Sequence, residues 1–327
     1  IKMKTILISG GAGYLGTFMT QEFLKSYKVL VYDKFYFPWI LKNKKKIKNH
    51  KNLNFINKDI SEVNIKDFEN IDIVCDLNGI SNDPSSELNS KYTWKVNYHD
   101  RCNFAKKAKK AGVKRYIFNS TCSVYGFNKN KVHEDSSKKP LSTYAKANLA
   151  AEKKIYKMKN NKFKVNMLRN ATLFGFSNTL RLDLVINIFV LKLIKNQKIF
   201  IDGDGKQFRP FISVRDICKI YKIIIKKNQL PSFICNLVSF NSTIKDIALQ
   251  ICKILKKKRE MINFNDKFFD KRNYIVGSKI FNKHFGKNYK YSSFKKEIIY
   301  LKKNIIKHKL NFNSNTIRMR FYKKLFN

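Results

Sequence analysis

The run Thr5-Ile6-Leu7-Ile8-Ser9-Gly10-Gly11-Ala12-Gly13-Tyr14-Leu15-Gly16 decides how this chain is read. Its opening residues are β-branched and apolar without alternation, the pattern of a strand buried on both faces of a parallel sheet. From Tyr14 onward, Leu15, Phe18, Met19 and Phe23 place apolar residues at helical spacing. Strand, glycine turn and helix are therefore expected in immediate succession. Gly10, Gly13 and Gly16 are spaced G-x-x-G-x-x-G: the first permits a tight turn, the second lets backbone approach a pyrophosphate, and the third lets helix pack on strand. Tyr14 and Leu15 open the helix, whose unpaired N–H groups then face the phosphates. A flexible loop carries glycines too. The next predicted strand, 29–32, separates the readings because it ends in Asp33, about twenty residues on, where a carboxylate can accept from ribose hydroxyls. Asp33 would repel a 2′-phosphate, so NAD is the expected dinucleotide, although Lys34 beside it could bind such a phosphate.

Composition bounds the remaining possibilities. A chain of 327 residues can bury a full core, as one large domain or two sharing a cleft. No apolar stretch reaches the length of a membrane helix, 184–191 being typical of those present. The first apolar run stops at glycines instead of a cleavage site, so no signal peptide is read and a cytoplasmic address is expected. Six cysteines (Cys75, Cys102, Cys122, Cys218, Cys235, Cys252) lack C-x-x-C spacing and sit mostly in apolar runs, as reduced core cysteines do. The five histidines are isolated, so no metal is expected. The formal charge of +45, from 68 Lys and Arg against 23 Asp and Glu, invites a nucleic-acid reading. Lysine is nevertheless spread through every segment with Asn and Ile, which is compositional drift and not one basic face. Runs such as 42–48 and 256–259 read as solvated loops or helix ends.

Further strands are predicted at 53–56, 71–75, 115–119 and 164–168, with helices at 92–110 and 142–157. This alternation predicts an α/β fold, a Rossmann-type doubly wound parallel sheet. Asp59 follows the third strand, where such sheets bind ligands, and is a candidate for the adenine amino group with Ile60 beside it; a loop or N-cap aspartate is an equal reading. Asn97 lies inside the helix 92–110 and is counted among the cofactor contacts. The fifth strand delivers Ser120-Thr121-Cys122-Ser123-Val124-Tyr125-Gly126 to the same edge. Beyond Gly175 the rhythm changes. A helix is expected over 181–195, a strand over 198–201, helices 214–226 and 244–257 around a strand 233–238, and a helix 294–307. The division expected is a cofactor domain 3–175, with 198–238 contributing interleaved elements, a smaller mixed α/β substrate region 176–310, and a basic tail 311–327 of no assigned role.

The order of these motifs is recognisable. G-G-A-G-Y-L-G, the acidic strand end, S-T-C-S-V-Y-G, Tyr144 at a helix start, L-R-N-A-T-L-F-G, R-P-F-I-S-V-R-D-I and the late segment 270–274 resemble the extended short-chain dehydrogenase/reductases, in their NAD-dependent epimerase/dehydratase family acting on nucleotide sugars. The resemblance implies that Tyr144 is the acid/base, that Thr121 hydrogen-bonds the reacting sugar hydroxyl, and that a lysine four residues after the tyrosine tunes it. A phenol of ordinary pKa, about 10, needs about three units of help at neutral pH, and a nearby positive charge supplies it. Here the chain departs: the residue is Asn148, and Lys146 points roughly to the opposite side of the helix. Three readings follow: catalysis with a less acidic tyrosine helped by the nicotinamide charge, ribose binding by Asn148, or loss of turnover with ligands retained. On the first two, Asn148→Lys is expected to move the pH optimum of sugar oxidation downward.

The resemblance also narrows the chemistry. Its 4,6-dehydratases carry an Asp-Glu pair after the threonine, where this chain has Cys122-Ser123. Simple oxidation, reduction or epimerisation, at C4 by family habit, is therefore expected of a nucleotide-diphosphate sugar substrate. Cys122 has no partner that would make it a nucleophile. Ser123 and Thr172 are expected against the sugar, Arg209 and Arg272 on the diphosphate, and Asn187 either on substrate or in the core. A homodimer through the helices 92–110 and 142–157 is implied by the family. The competing readings are a regulatory or scaffold protein that binds NAD without turnover, and a basic RNA-binding protein on the same fold.

Overall fold

The computed structural model describes residues 3–39, 50–265 and 273–327, so the expected roles of the basic run 42–48 and of Arg272 lie outside the described residues. Twelve strands are described, in chain order β1 Thr5–Ser9, β2 Lys28–Asp33, β3 Leu53–Asn57, β4 Ile73–Asp76, β5 Arg115–Thr121, β6 Lys164–Asn170, β7 Thr172–Phe174, β8 Ile199–Asp202, β9 Phe208–Ser213, β10 Phe233–Leu237, β11 Phe240–Thr243 and β12 Ile262–Asn265. Seven of them form one parallel sheet in the order β10-β6-β5-β4-β1-β2-β3, with Ile8 registered on Val31 to one side and on Cys75 to the other. The chain runs outward from β1 through β2 to β3, then returns to β4 on the other side of β1. At that reversal the carboxyl ends diverge and leave a crevice. The expected doubly wound sheet is therefore the fold.

Both faces of the sheet are covered, which explains the unbroken apolar runs of its strands. On one face Ile6, Ile8 and Val31 join a core with Phe23, Ile217 and Ile224 from helices Tyr14–Phe23 and Val214–Lys226. On the other, Leu7, Val74 and Phe118 pack with Phe104 and Ile155 from helices Arg101–Lys110 and Thr143–Tyr156. Each such large side chain stabilises the fold by about 1.5–3 kcal/mol before ordering costs. A three-stranded sheet β11-β9-β7 and a pair β12-β8 make the smaller α/β region, where Phe174 sits between Phe240 and Phe294 at 6.0 and 5.6 Å.

Several elements differ from the sequence reading. The helix expected over 181–195 begins at Val185, and before it Arg181 and Asp183 pair with each other in a turn. The helix expected over 92–110 is built from Ser90–Trp94, a wider π-helical turn Lys95–Asp100, and Arg101–Lys110. The tail 311–327, without an expected structure, ends in a helix Arg318–Phe326. Among the described residues no helix is long and apolar enough to cross a membrane, and no group of His, Cys, Asp and Glu could hold a metal ion.

Candidate functional site

The crevice beyond β1 and β4 opens into one large cleft. Its wall includes Gly10, Gly13, Tyr14, Leu15, Gly16 and Asp33 from the first strand–turn–helix unit and the end of β2. Thr121, Ser123 and Tyr144 line it too, as do Thr172 and Arg209. The sequence thus brings eleven of its expected site residues to one place.

The glycine turn has the shape a pyrophosphate needs. Gly10 has φ +69°, and a Cβ on Gly16 would lie 2.4 Å from the Gly10 carbonyl oxygen, so strand and helix meet there with no room for a side chain. A Cβ on Gly13 would meet only that carbonyl, at 3.2 Å, so the turn is open on this side. Helix Tyr14–Phe23 has no side-chain cap and no acidic residue in its first turn, leaving its N–H groups to an anion in the cleft. Asp33 accepts from Ala12 N–H at 3.0 Å and Phe35 N–H at 2.7 Å, which fixes its carboxylate beside the glycine turn in the cleft wall. Burial pushes its pKa up, against those two donors and the Arg318 charge.

Tyr144 stands in the first turn of helix Thr143–Tyr156, which Ser142 caps by accepting from Ala145 N–H at 3.2 Å. The Thr121 hydroxyl lies close enough to the phenol to lower its pKa, and accepts from Ser123 N–H at 3.0 Å. Burial raises the pKa of the phenol, the Thr121 hydroxyl lowers it, the Asp83 carboxylate raises it, and the Arg101 and Arg181 charges lower it.

Arg101 is what sequence reasoning missed. Only 1 % exposed, it donates from Nε to Asp76 Oδ2 at 2.9 Å, from Nη2 to the Asp76 and Asn119 carbonyls at 3.2 Å each, and from Nη1 to Asn148 Oδ1 at 2.9 Å. Its guanidinium also lies 3.7 Å from the Phe118 ring centroid. Asn148, itself 1 % exposed, donates from Nδ2 to the Tyr144 carbonyl at 2.8 Å. The amide therefore ties a buried cation to the helical turn that carries the phenol. A cation from another helix, Arg101, thus stands near the tyrosine that lacks the lysine four residues on, and burial still outweighs its charge in raising the phenol's pKa. A signal was present in the sequence, since an arginine four residues after Asn97 and an aspartate closing an apolar strand are both charges in core positions.

Other expectations are redirected. Asn97 does not line the cleft; its amide accepts from Ile80 N–H at 2.8 Å and donates to Ile80 carbonyl at 3.0 Å, shaping the turn after β4. Asn187 also lies outside the lining, because its amide is taken by Gly175 N–H, the Arg181 carbonyl and the Tyr14 hydroxyl at 3.0, 2.9 and 3.1 Å. Asp59 caps a short 3₁₀ turn and pairs with Lys34 at 2.8 Å, and Ile60 is a core residue; neither lines the cleft. Partial burial opposes the Asp59 charge, but Lys34 and Ser61 hold its carboxyl below the usual carboxylate range. Cys122 is 1 % exposed with its thiol on the Arg169 carbonyl at 3.2 Å, and burial pushes its pKa far up, so it is an inert core thiol. Arg209 reaches the cleft with Nη1 donating to the Phe208 carbonyl at 2.8 Å and its guanidinium 5.7 Å from the Tyr274 ring. Arg181, Asp183 and the tail residues Arg318 and Tyr322 line the cleft without having been expected there.

Known proteins resemble this chain in sequence and in fold. The chain is 28% identical over 276 residues to a dTDP-D-glucose 4,6-dehydratase of Homo sapiens, covering 80% of this chain and 78% of that protein. It is 26% identical over 274 residues to an uncharacterized UDP-glucose epimerase of Bacillus subtilis, covering 80% and 85%. Two solved structures share the fold. A UDP-N-acetylglucosamine 4-epimerase from Methanobrevibacter ruminantium has a TM-score of 0.83 at 21% identity, over 94% of this chain and 100% of that one. A UDP-glucuronic acid 4-epimerase from Bacillus cereus, in complex with NAD, has 0.77 at 23%, over 91% and 96%. Residues 6–236 match the model of the NAD dependent epimerase/dehydratase family, and with the glycine turn, the threonine and the tyrosine in one cleft the chain belongs to that family of nucleotide-sugar enzymes.

Proposed function

We propose that this chain is an NAD-dependent nucleotide-sugar epimerase or oxidoreductase working by hydride transfer at a sugar carbinol carbon, C4. The observation that carries this reading is the Tyr144 phenol in the cleft with the Thr121 hydroxyl beside it and a buried cation, Arg101, tied to its helical turn. Bound NAD would supply the hydride acceptor. Gly10, Gly13, Tyr14, Leu15 and Gly16 would hold its pyrophosphate and Asp33 its adenosine ribose. Tyr144 takes the proton of the sugar hydroxyl while Thr121 orients it, and returns the proton when the ketose is reduced from its other face. Thr121, Arg101 and Arg181 work against the burial that keeps the phenol protonated, the task left open by the missing lysine. Ser123 and Thr172 face the sugar, and Arg209, with Arg272, binds the diphosphate. Residues 3–175, with interleaved elements from 198–238, would hold the cofactor, and the region 176–310 the substrate. A homodimer would form through the two helices that carry Tyr98 and Lys154, which lie side by side with Lys154 Nζ 5.3 Å from the Tyr98 ring.

Dehydration is the second reading, favoured by the 4,6-dehydratase relatives. Against it stands Cys122, a core thiol where an acid would be needed. The test is product analysis by NMR after incubating the chain with NAD and UDP- or dTDP-hexoses. A C4 epimer or a 4-ketose retaining its C6 oxygen is expected, and lost in Tyr144→Phe. A 4-keto-6-deoxy sugar would overturn the hydride-only reading, and NAD retention without turnover of any sugar would favour the scaffold.

A further inference from the structure

The tail that had no assigned role reaches the glycine turn. Thr316 accepts from Leu182 N–H at 2.8 Å, which moors the tail to the turn holding Arg181 and Asp183. Helix Arg318–Phe326 then lies against the segment after β2: the Phe321 ring is 4.8 Å from Phe37 and 5.3 Å from Tyr36, and Phe326 is 5.4 Å from Tyr92. Its first turn places Arg318 and Met319 in the cleft wall, with Tyr322 one turn on. Arg318 is 3 % exposed and stacks 3.5 Å from the Phe37 ring centroid. Its Nη1 donates to the Asn315 carbonyl, but its Nη2 is buried without a hydrogen-bond partner among the described residues.

A buried guanidinium with an empty donor face is costly unless an anion completes it. Burial, with the Arg181 charge beside it, lowers the pKa of Arg318 to about 10, against the Asp183 and Asp33 carboxylates. Those carboxylates bracket it: both feel its charge, one at the end of β2 and the other in the 181–184 turn. The residue with this unfilled donor lines the same cleft as the uncapped start of helix Tyr14–Phe23.

We propose that the C-terminal helix is a wall of the dinucleotide cleft and that Arg318 binds the diphosphate of the dinucleotide from the side opposite the glycine turn. The inference rests on a dinucleotide lying over that turn. It gives the otherwise unassigned tail a function as a strap that holds the cofactor. Guanidinium–phosphate hydrogen bonding is bidentate and charge-assisted, so a single arginine can dominate retention.

The test compares full-length wild type, Arg318→Met and Arg318→Lys by calorimetric titration with NAD, NADP, ADP and adenosine. Arg318→Met is expected to weaken NAD and ADP by about tenfold to hundredfold while adenosine changes less than about threefold, with Arg318→Lys between. Retained adenosine binding shows that the variant is folded. Equal losses for ADP and adenosine would mean that Arg318 only packs, and no loss would mean that it does not touch the ligand; either overturns the proposal. A loss confined to NADP would move Arg318 to a 2′-phosphate and overturn it as well. Wild-type protein that binds neither NAD nor ADP would refute the cofactor reading itself, and this inference with it.

Discussion

Restoring the family's lysine should damage this protein. In Asn148→Lys the new ammonium replaces an amide oxygen that lies 2.9 Å from Arg101 Nη1, in a site where both residues are 1 % exposed. Two unit charges about 4 Å apart repel by about 4 kcal/mol at an effective dielectric constant near 20. Asp76 offsets part of that, and the lost amide bonds to Arg101 and the Tyr144 carbonyl add to it. A net destabilisation of about 2–4 kcal/mol follows, or about 4–8 °C in Tm at roughly 2 °C per kcal/mol for a chain of this size. Arg101→Gln is also costly alone, because it leaves the Asp76 carboxylate buried without its cation. Combining the two should relieve both faults, since one cation is again present beside one carboxylate. Thermal and urea unfolding of the four proteins measures this directly. The double variant should lose less stability than the sum of the two single losses, by about 2 kcal/mol or more, whereas additivity within about 0.5 kcal/mol would refute the idea that one cation was exchanged for another.

Three further outcomes are expected. Tyr144→Phe should lower turnover by about 10²–10⁴-fold and leave NAD affinity within about twofold, measured by steady-state kinetics and fluorescence titration, because the phenol acts in proton transfer. Gly16→Ala should abolish NAD binding and lower Tm, since its Cβ would sit 2.4 Å from a backbone oxygen that cannot swing aside. Stability should fall as pH rises from about 9 to 12: burial lifts the Cys218 thiol to about 12 and Cys102 to about 11, so the protonated folded state is favoured below the ordinary thiol pKa and that advantage is lost as pH climbs through the folded values; a urea midpoint unchanged between pH 8 and 11 would contradict it.

The sheet was legible because it is written in contiguous runs. Thr5–Ser9 to Lys164–Asn170 are apolar segments closed by glycine or polar turns, and both faces being covered removes ambiguity about alternation. The short strands Thr172–Phe174 and Phe240–Thr243 were not legible, since three or four residues carry no period and they form only against Phe208–Ser213. At the candidate site, the residues that local patterns single out, the glycines, Asp33, Thr121 and Tyr144, all line the one cleft. Those that depend on a distant partner were not legible. Arg101 has meaning only beside Asn148, 47 positions away, and Arg318 only beside Phe37 and the cleft. Asn97 and Asn187 show the converse, buried helical amides whose partners are backbone groups and, for Asn187, also the Tyr14 hydroxyl.

The central claim is that the proton on Tyr144 is loosened by a guanidinium from a neighbouring helix. Tyrosine labelled at the ring carbon bearing oxygen, followed by NMR through an alkaline titration with Tyr144→Phe identifying the signal, reads that proton without turnover. Replacing Arg101 by Gln should raise the midpoint of this signal, because burial already holds the phenol protonated and the Arg101 charge works against it. A midpoint that stays where it is in the wild type, in a variant that still folds and binds NAD, would contradict the account.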